Sequence, residues 1–383
     1  MGKLEALVGC FGPTRRKQAE KIGISASALC QLINHGIKPR KQWEEIKETI
    51  KNLALELGKT EAEINEAFAG FEDKEAVEEG ADSKEEIVIL RKQSLTMQAK
   101  KAFGLFKNPF ADPETSTEVY MSSDIRYVRE CLYQTAIGGG FFALVGESGS
   151  GKTTLKDELI TRIHAENQPV IIIEPYTLAM AANESQGKPL RSGHITEAII
   201  STVQPGTKLP VSPELRFRKL HEILKASHSA GMRHCLIIEE AHDLHKHTLK
   251  SLKRFHELKD GLARLLSIIL IGQTELDKKM QVTDSSVREV VQRCDIEAMP
   301  AIADPGEYVR HRFSKAGIDC DKCFTKEALE ELKTNLTISP DKRGEGIYMG
   351  YPLMIANLTT AALNLAASVG EKVVTAEVVK MVR

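Results

Sequence analysis

Four short, mainly apolar runs interrupt longer stretches in which apolar residues recur every three to four positions. Residues 141–145, 170–174, 235–238 and 265–273 are apolar on both faces and short, so they read as buried strands. A mixed piece at 295–299 reads as a fifth strand. Helical spacing marks 122–137, 155–165, 195–203, 213–230 and 243–258 between them, with a short piece at 287–293. Strands alternating with helices predict an α/β fold. Four more helical patterns follow, at 304–316, 325–335, 352–369 and 375–382, and predict a helical lid. Residues 1–70 show helical spacing alone, so an all-α unit precedes the sheet. A helical lead-in at 87–103 reaches Asn108-Pro109-Phe110. The pattern divides the chain at 1–70, 71–100, 101–303 and 304–383.

The turn after the first strand carries the sharpest chemistry. Gly146-Glu147-Ser148-Gly149-Ser150-Gly151-Lys152-Thr153-Thr154 lies between an apolar run and a helical one. It fits G-x-x-x-x-G-K-[ST] in its strand–loop–helix setting. The glycines let the loop curl so that successive N–H groups converge on phosphate oxygens. Lys152 can reach the β- and γ-phosphates of ATP, and the Thr153 hydroxyl can serve Mg²⁺.

The run at 235–238 ends in Glu239-Glu240-Ala241-His242. A parallel strand delivers such acids to its C-terminal edge, beside the phosphate loop. Glu239 then serves the Mg²⁺ water shell, and Glu240 polarises the attacking water. Glu239 stands where aspartate is usual, so its longer side chain must fold back. Gln273, at the end of the 265–273 run, sits where a residue can sense the γ-phosphate. Arg288 and Arg293 are candidates for a cation that reaches a neighbouring subunit's nucleotide. Lys246, Lys250, Lys253 and Arg254 fall on or near one helix face. They read equally as a solvated face or as a DNA-channel lining. Lys188 and Arg191 lie in a Gly/Pro-containing loop.

Residues 18–34 have helix-turn-helix spacing. Ala19 is small where two helices cross, Gly23 fits a left-handed turn, and Ser25 can cap the second helix. Leu29, Leu32 and Ile33 form its buried face. Ser27, Ala28, Gln31 and Asn34 are then presented to a DNA groove. Residues 1–42 hold eight Lys/Arg (Lys3, Arg15, Arg16, Lys17, Lys21, Lys38, Arg40, Lys41) against Glu5 and Glu20. Spacing and charge together point to DNA. Residues 72–86 hold eight acids and two lysines and read as a solvated linker.

The net charge of the 383 residues is -1, which hides this asymmetry and argues against nonspecific basic coating of nucleic acid. Seven scattered cysteines suit a reducing compartment rather than a disulfide framework. Cys320 and Cys323 read as free thiols in a loop. The start of the chain lacks a signal-peptide pattern, and no apolar run approaches the ~20 residues of a membrane span. The expectation is a cytoplasmic protein of a bacterium or a phage-infected cell, with no membrane partner.

From Asn108 onward these motifs resemble the AAA+ ATPases. The Asn-Pro-Phe entry and the Glu-Ala-His after the third strand resemble the branch holding bacterial secretion-associated and transposition ATPases. With the basic helix-turn-helix arm, the layout is similar to the target selectors of replicative transposition, the phage Mu B family. That resemblance implies a P-loop sheet, ATP-driven assembly into filaments on duplex DNA, activation of a transposase, and hydrolysis that dissolves the filament. It implies roles for Lys152 on phosphate, Thr153 and Glu239 on the metal, Glu240 on water, and Gln273 as sensor. The chain departs from it at Leu353, where relatives often carry a nucleotide-contacting arginine, and this fits a slow, switch-like ATPase. A secretion-associated ATPase with an N-terminal protein adaptor, or a helicase loader or replication initiator, stays open.

Overall fold

The computed structural model describes residues 8, 10–11, 15–24, 29, 32–33, 43–60, 63–64, 91–175, 190–281, 287–338 and 346–382. They fall in two compact units, Met1–Val88 and Ile89–Arg383.

In the first unit, α1 (Arg15–Ile22) and α2 (Trp43–Glu56) are helices. Ala19, Ile22, Leu29, Leu32 and Ile33 are buried together with Val8, Phe11 and Ile50. Gly23 takes φ +81°, and the next amide, Ile24 N–H, donates to the Ala19 carbonyl at 3.0 Å. The apolar half of the expected helix-turn-helix pattern is thus a core. Its second helix is described only at residues 29, 32 and 33. Gln31, Asn34, Lys38 and Arg40 lie outside the described residues, as does the linker at 72–86.

Among its described residues the second unit opens with 91–96, which form neither helix nor strand, and a short helix α3 (Met97–Ala102). The expected helix over 87–103 is therefore confined, among described residues, to its last third. The reason is competition for backbone donors. The amides of Gln93 and Thr96 donate to the side chains of Asn357 at 3.1 Å and Asn364 at 2.9 Å, while the Thr96 hydroxyl caps α3. Then come α4 (Ser123–Gly138), β1 (Phe141–Val145), α5 (Lys152–Ala165), β2 (Val170–Ile173), α6 (Ser192–Val203), α7 (Pro213–Ser229) and β3 (Arg233–Ile238). After these follow α8 (Lys246–His256), β4 (Ser267–Gly272), α9 (Thr274–Lys279), α10 (Arg288–Val291) and β5 (Asp295–Ala298). The C-terminal helices are α11 (Pro305–Lys315), α12 (Lys326–Asn335), α13 (Pro352–Ser368) and α14 (Ala376–Met381).

The five strands form one sheet in the order β2-β3-β4-β1-β5, parallel at every pairing. Period-two alternation splits its side chains between two layers. Phe142, Leu144, Ile237 and Ile269 face α4, α5 and the C-terminal helices. Phe141, Ala143, Val145, Leu236 and Ile268 face α6, α7 and α8. Tyr308, Phe313, Leu329 and Leu358 share the first core, so the C-terminal helices are packed onto the sheet's own apolar layer.

The expected helix over 243–258 begins only at Lys246. Glu240 takes a left-handed conformation and 241–243 form a 3₁₀ turn, so the chain must re-extend before α8 starts. Two hairpins escaped the pattern, Lys259–Asp260 with Ala263–Arg264 and Thr337–Ile338 with Ile347–Tyr348. Two-residue strands are too short to show a period. The first was nevertheless signalled by Asp260-Gly261.

Candidate nucleotide site

Parallel strands put their C-terminal ends on one edge, and there the candidate residues meet. Gly146 follows β1, Glu239 follows β3, Gln273 follows β4 and Met299 follows β5. A cavity of about 390 Å³ opens at that edge, lined by Ser148 to Leu155, Glu239, Glu240 and Gln273. The same wall holds Phe110, Tyr120, Tyr308, Arg312 and Leu353. Gly146 and Glu147 shape the loop entering it, and Thr154 stands among its lining residues.

The loop curls as its glycines require. Gly149 and Gly151 take φ of +75° and +98°, a region costly for residues with a Cβ. Gly151 then begins α5, whose first-turn residues Lys152 to Leu155 line the cavity and whose first amides have no partner within the helix. The Lys152 ammonium donates to the carbonyls of Gly146 at 2.8 Å and Glu147 at 2.7 Å. Burial pulls its pKa down, against the opposing pull of the Glu240 and Glu147 carboxylates.

The two acids separate in role by position. Glu239 Oε1 accepts from the Thr153 hydroxyl at 3.3 Å, and Oε2 accepts from Lys156 at 3.0 Å. Hydroxyl and carboxylate oxygens suit a hard divalent cation such as Mg²⁺. Thr153 and Glu239 would hold such an ion, which would neutralise charge on the phosphates. Glu240 is exposed, with φ +49° at a residue that carries a Cβ. Strain of this kind persists where neighbours fix it. Here Asp243 N–H donates to the Glu240 carbonyl at 2.9 Å. His242 Nδ1 lies 3.3 Å from Glu240 Oε2 and accepts from the Gln273 amide at 3.3 Å. The backbone N–H of Gln273 is thereby tied to the imidazole, and the Glu240 carboxylate stands beside it.

Four residues at the site received no role from the sequence. Lys156 and His242 are two. Lys156 lies one turn after Lys152, a helical spacing that could have signalled it. The third is Arg312, 8% exposed. It donates to the carbonyls of Pro109 at 2.9 Å, Ala111, and Glu118 at 3.4 Å. The fourth is Tyr308, whose ring lies 5.4 Å from Tyr120 and 6.5 Å from Phe110. An arginine of the C-terminal helices therefore does line the cavity, but its guanidinium is engaged with the backbone of 109–118. Leu353 packs on Gly149 instead, its amide donating to the Gly149 carbonyl at 3.2 Å.

Residues 136–280 match the family described as AAA domain. The chain carries a P-loop ATPase domain of the AAA+ fold. General secretion pathway protein A of Aeromonas hydrophila is 29% identical over 234 residues, covering 60% of this chain and 40% of that protein. The chain thus matches less than half of that relative's length. Among solved structures, the Aeropyrum pernix ORC2 protein in its ADPNP–ADP complexes has TM-score 0.46 at 15% identity, over 72% of this chain and 70% of that one. Drosophila ORC bound to DNA has TM-score 0.46 at 14% identity, over 82% and 72%. RuvB of Thermotoga maritima has TM-score 0.41 at 14% identity, over 71% of each. No described helix is long and apolar enough to cross a membrane.

The remaining candidates scatter. On α8, Lys246, Lys250 and Arg254 are exposed at four-residue spacing and form one stripe, while Leu249, Leu252 and Phe255 face the core. Lys253 leaves the expected basic face. It turns to α10 and pairs with Glu289 at 2.8 Å, because it lies one residue off the stripe. Arg293 Nη1 donates to the Glu289 carbonyl at 2.8 Å and Nη2 lies 3.3 Å from Glu257. Arg288 is exposed, and its side chain makes no ion pair or hydrogen bond with another described residue. Arg191 is exposed just before α6, and Lys188 lies outside the described residues. In the first unit, Arg15 and Arg16 belong to α1 and Lys17 is exposed. Cys320 and Cys323 are buried in the core around α11, and burial pushes both thiols up, Cys320 to about 12. Thiols held protonated in this way are inert, and the expected loop is a 3₁₀ turn.

Proposed function

We propose that this chain is an ATP-gated ATPase that binds duplex DNA with little sequence preference and assembles on it as an oligomer. The observation that carries the DNA reading is the exposed Lys246–Lys250–Arg254 stripe. Three cations in line, one helical turn apart, match a row of backbone phosphates better than a base edge. The basic residues of 1–42 supply a second contact in this reading. ATP with Mg²⁺ binds along the edge from Lys152 to Glu239, and Glu240 activates the attacking water. Residues 304–383 act as a lid, and Arg288 of one subunit completes the site of the next. The finer role, target selection and transposase activation in DNA transposition, is supported only by the order of domains and motifs.

A second reading has its own support. The match to the Aeromonas hydrophila secretion-pathway protein favours an ATPase whose N-terminal unit is a protein adaptor. Salt separates the two. Each phosphate contact contributes about 0.9 to the log–log slope of DNA affinity against salt. Deleting 1–88 should flatten that slope by several units and leave ATP-dependent assembly in place. An unchanged slope would make the N-terminal unit an adaptor.

A further inference from the structure

Lys156 lies three residues beyond Thr153 on α5, and its side chain is 11% exposed. Its ammonium donates to Glu239 Oε2 at 3.0 Å and to Glu174 Oε1 at 3.0 Å. Asp157 Oδ1 lies 3.3 Å away. The other oxygen of Glu239 accepts from Thr153 at 3.3 Å. The carboxylate is therefore held at two points. One oxygen is tethered on the Lys156 side, and the other is turned to the threonine hydroxyl. Lys156 itself is not among the residues that line the cavity.

A glutamate reaches further than an aspartate and has one more torsion, so an untethered carboxylate at 239 would sample more orientations. Glu174, just past the end of β2, anchors the ammonium from the far side. We propose that Lys156 is a positioning residue that aims Glu239 at the Mg²⁺ of bound ATP, making the longer acid serviceable at a position suited to a shorter one. This rests on the reading of Glu239 as the magnesium-side acid. Outer partners of a metal ligand commonly matter because they fix its orientation.

Two effects of removing Lys156 have opposite signs. Losing its charge alone leaves Glu239 and Glu174 less compensated and should draw a divalent cation closer. Losing its aim should weaken the link between metal and nucleotide. The quantity that separates them is the factor by which Mg²⁺ tightens binding of a fluorescent ATP analogue to the full chain. Lys156→Met should lower that factor about tenfold while leaving metal-free binding unchanged. Lys156→Arg, which keeps a donor of similar reach, should retain most of it. In a Glu239→Asp background the shorter acid no longer spans from Thr153 to Lys156, so Lys156→Met should change the factor by no more than about twofold.

Thermal melts of the variants confirm that each is folded before it is compared. A Glu239→Gln variant with the wild-type factor would overturn the underlying reading of Glu239. If Glu239→Gln lowers the factor but Lys156→Met leaves it unchanged or raises it, the positioning role alone is overturned. Equal loss in folded Lys156→Met and Lys156→Arg would reduce Lys156 to packing and also overturn it.

Discussion

Leu353 rests on Gly149. The Leu353 amide donates to the Gly149 carbonyl at 3.2 Å, and a Cβ built on Gly149 would lie 2.4 Å from the Cβ of Leu353. The first turn of α13 and the shape of the phosphate loop are therefore fixed by each other. Through Asn357 and Asn364, the same helix holds the backbone of Gln93 and Thr96. The stretch 91–96 is thus fastened to a helix that touches the phosphate loop.

Gly149→Ala violates this contact twice. It meets Leu353, and it carries a Cβ at φ +75°, which alone costs about 1–2 kcal/mol. ATP affinity, measured by titration, should fall about tenfold or more. Adding Leu353→Ala should recover little of it, because the Cβ at 353 that meets the new methyl remains. Wild-type affinity in the single variant would contradict the role of this contact.

Glu240→Gln keeps the size of the side chain but cannot accept the proton of the attacking water. It should bind ATP normally and hydrolyse it about a hundredfold or more slowly in single turnover. Lys152→Ala, by contrast, should lose ATP binding itself. Normal turnover in Glu240→Gln would move the catalytic role to another group.

Arg288 projects from α10 without a partner among the described residues, whereas Arg293 is held by Glu257 and Glu289. A finger that serves a neighbouring subunit must be free to leave its own surface, so Arg288 is the better candidate. Arg288→Ala and Lys152→Ala subunits should each be inactive alone and regain hydrolysis when mixed. Normal hydrolysis by Arg288→Ala in the presence of DNA would pass the role to Arg293.

The strands, the phosphate loop and both acids were legible because each is a local pattern: an apolar run, a glycine spacing, a strand end. Lys253 was misplaced by the same kind of reasoning. Helical spacing puts it near the Lys246–Lys250–Arg254 face, and only the packing of α10 reveals the Glu289 that captures it. Arg312 and Tyr308 were illegible for a related reason. Their partners at 109–120 lie nearly two hundred residues away, and no periodicity connects them. Lys156 could have been read from its spacing after Lys152, but its partners Glu174 and Glu239 come from two separate strand ends. The 91–96 stretch shows the limit of propensity, since its amides go to asparagines of a distant helix.

His256 gives the fold a pH dependence. Burial first, and then the Arg264 guanidinium, lower its pKa from 6.5 to about 4. Its Nδ1 accepts from Arg264 at 2.8 Å, while Nε2 lies 3.1 Å from the Gly139 carbonyl. The folded protein holds this imidazole neutral, and the unfolded chain protonates it near pH 6.5. This contribution to stability is therefore complete above pH 6.5 and is lost progressively as pH falls towards 4. The melting temperature should drop between pH 7 and pH 5, and His256→Gln should flatten the drop. A profile unchanged by the substitution would exclude His256 as its source.

In the proposed function, ATP gates duplex-DNA binding through the α8 stripe. Co-sedimentation with duplex DNA of random sequence tests it most directly, comparing ATP, ADP and no nucleotide. The wild-type chain should pellet with DNA in ATP and remain in solution in ADP. Glu240→Gln should stay bound in ATP. A variant with Lys246, Lys250 and Arg254 all changed to Ala should bind ATP normally yet fail to pellet. DNA binding that ignores the nucleotide, or that survives loss of all three cations, would contradict the account.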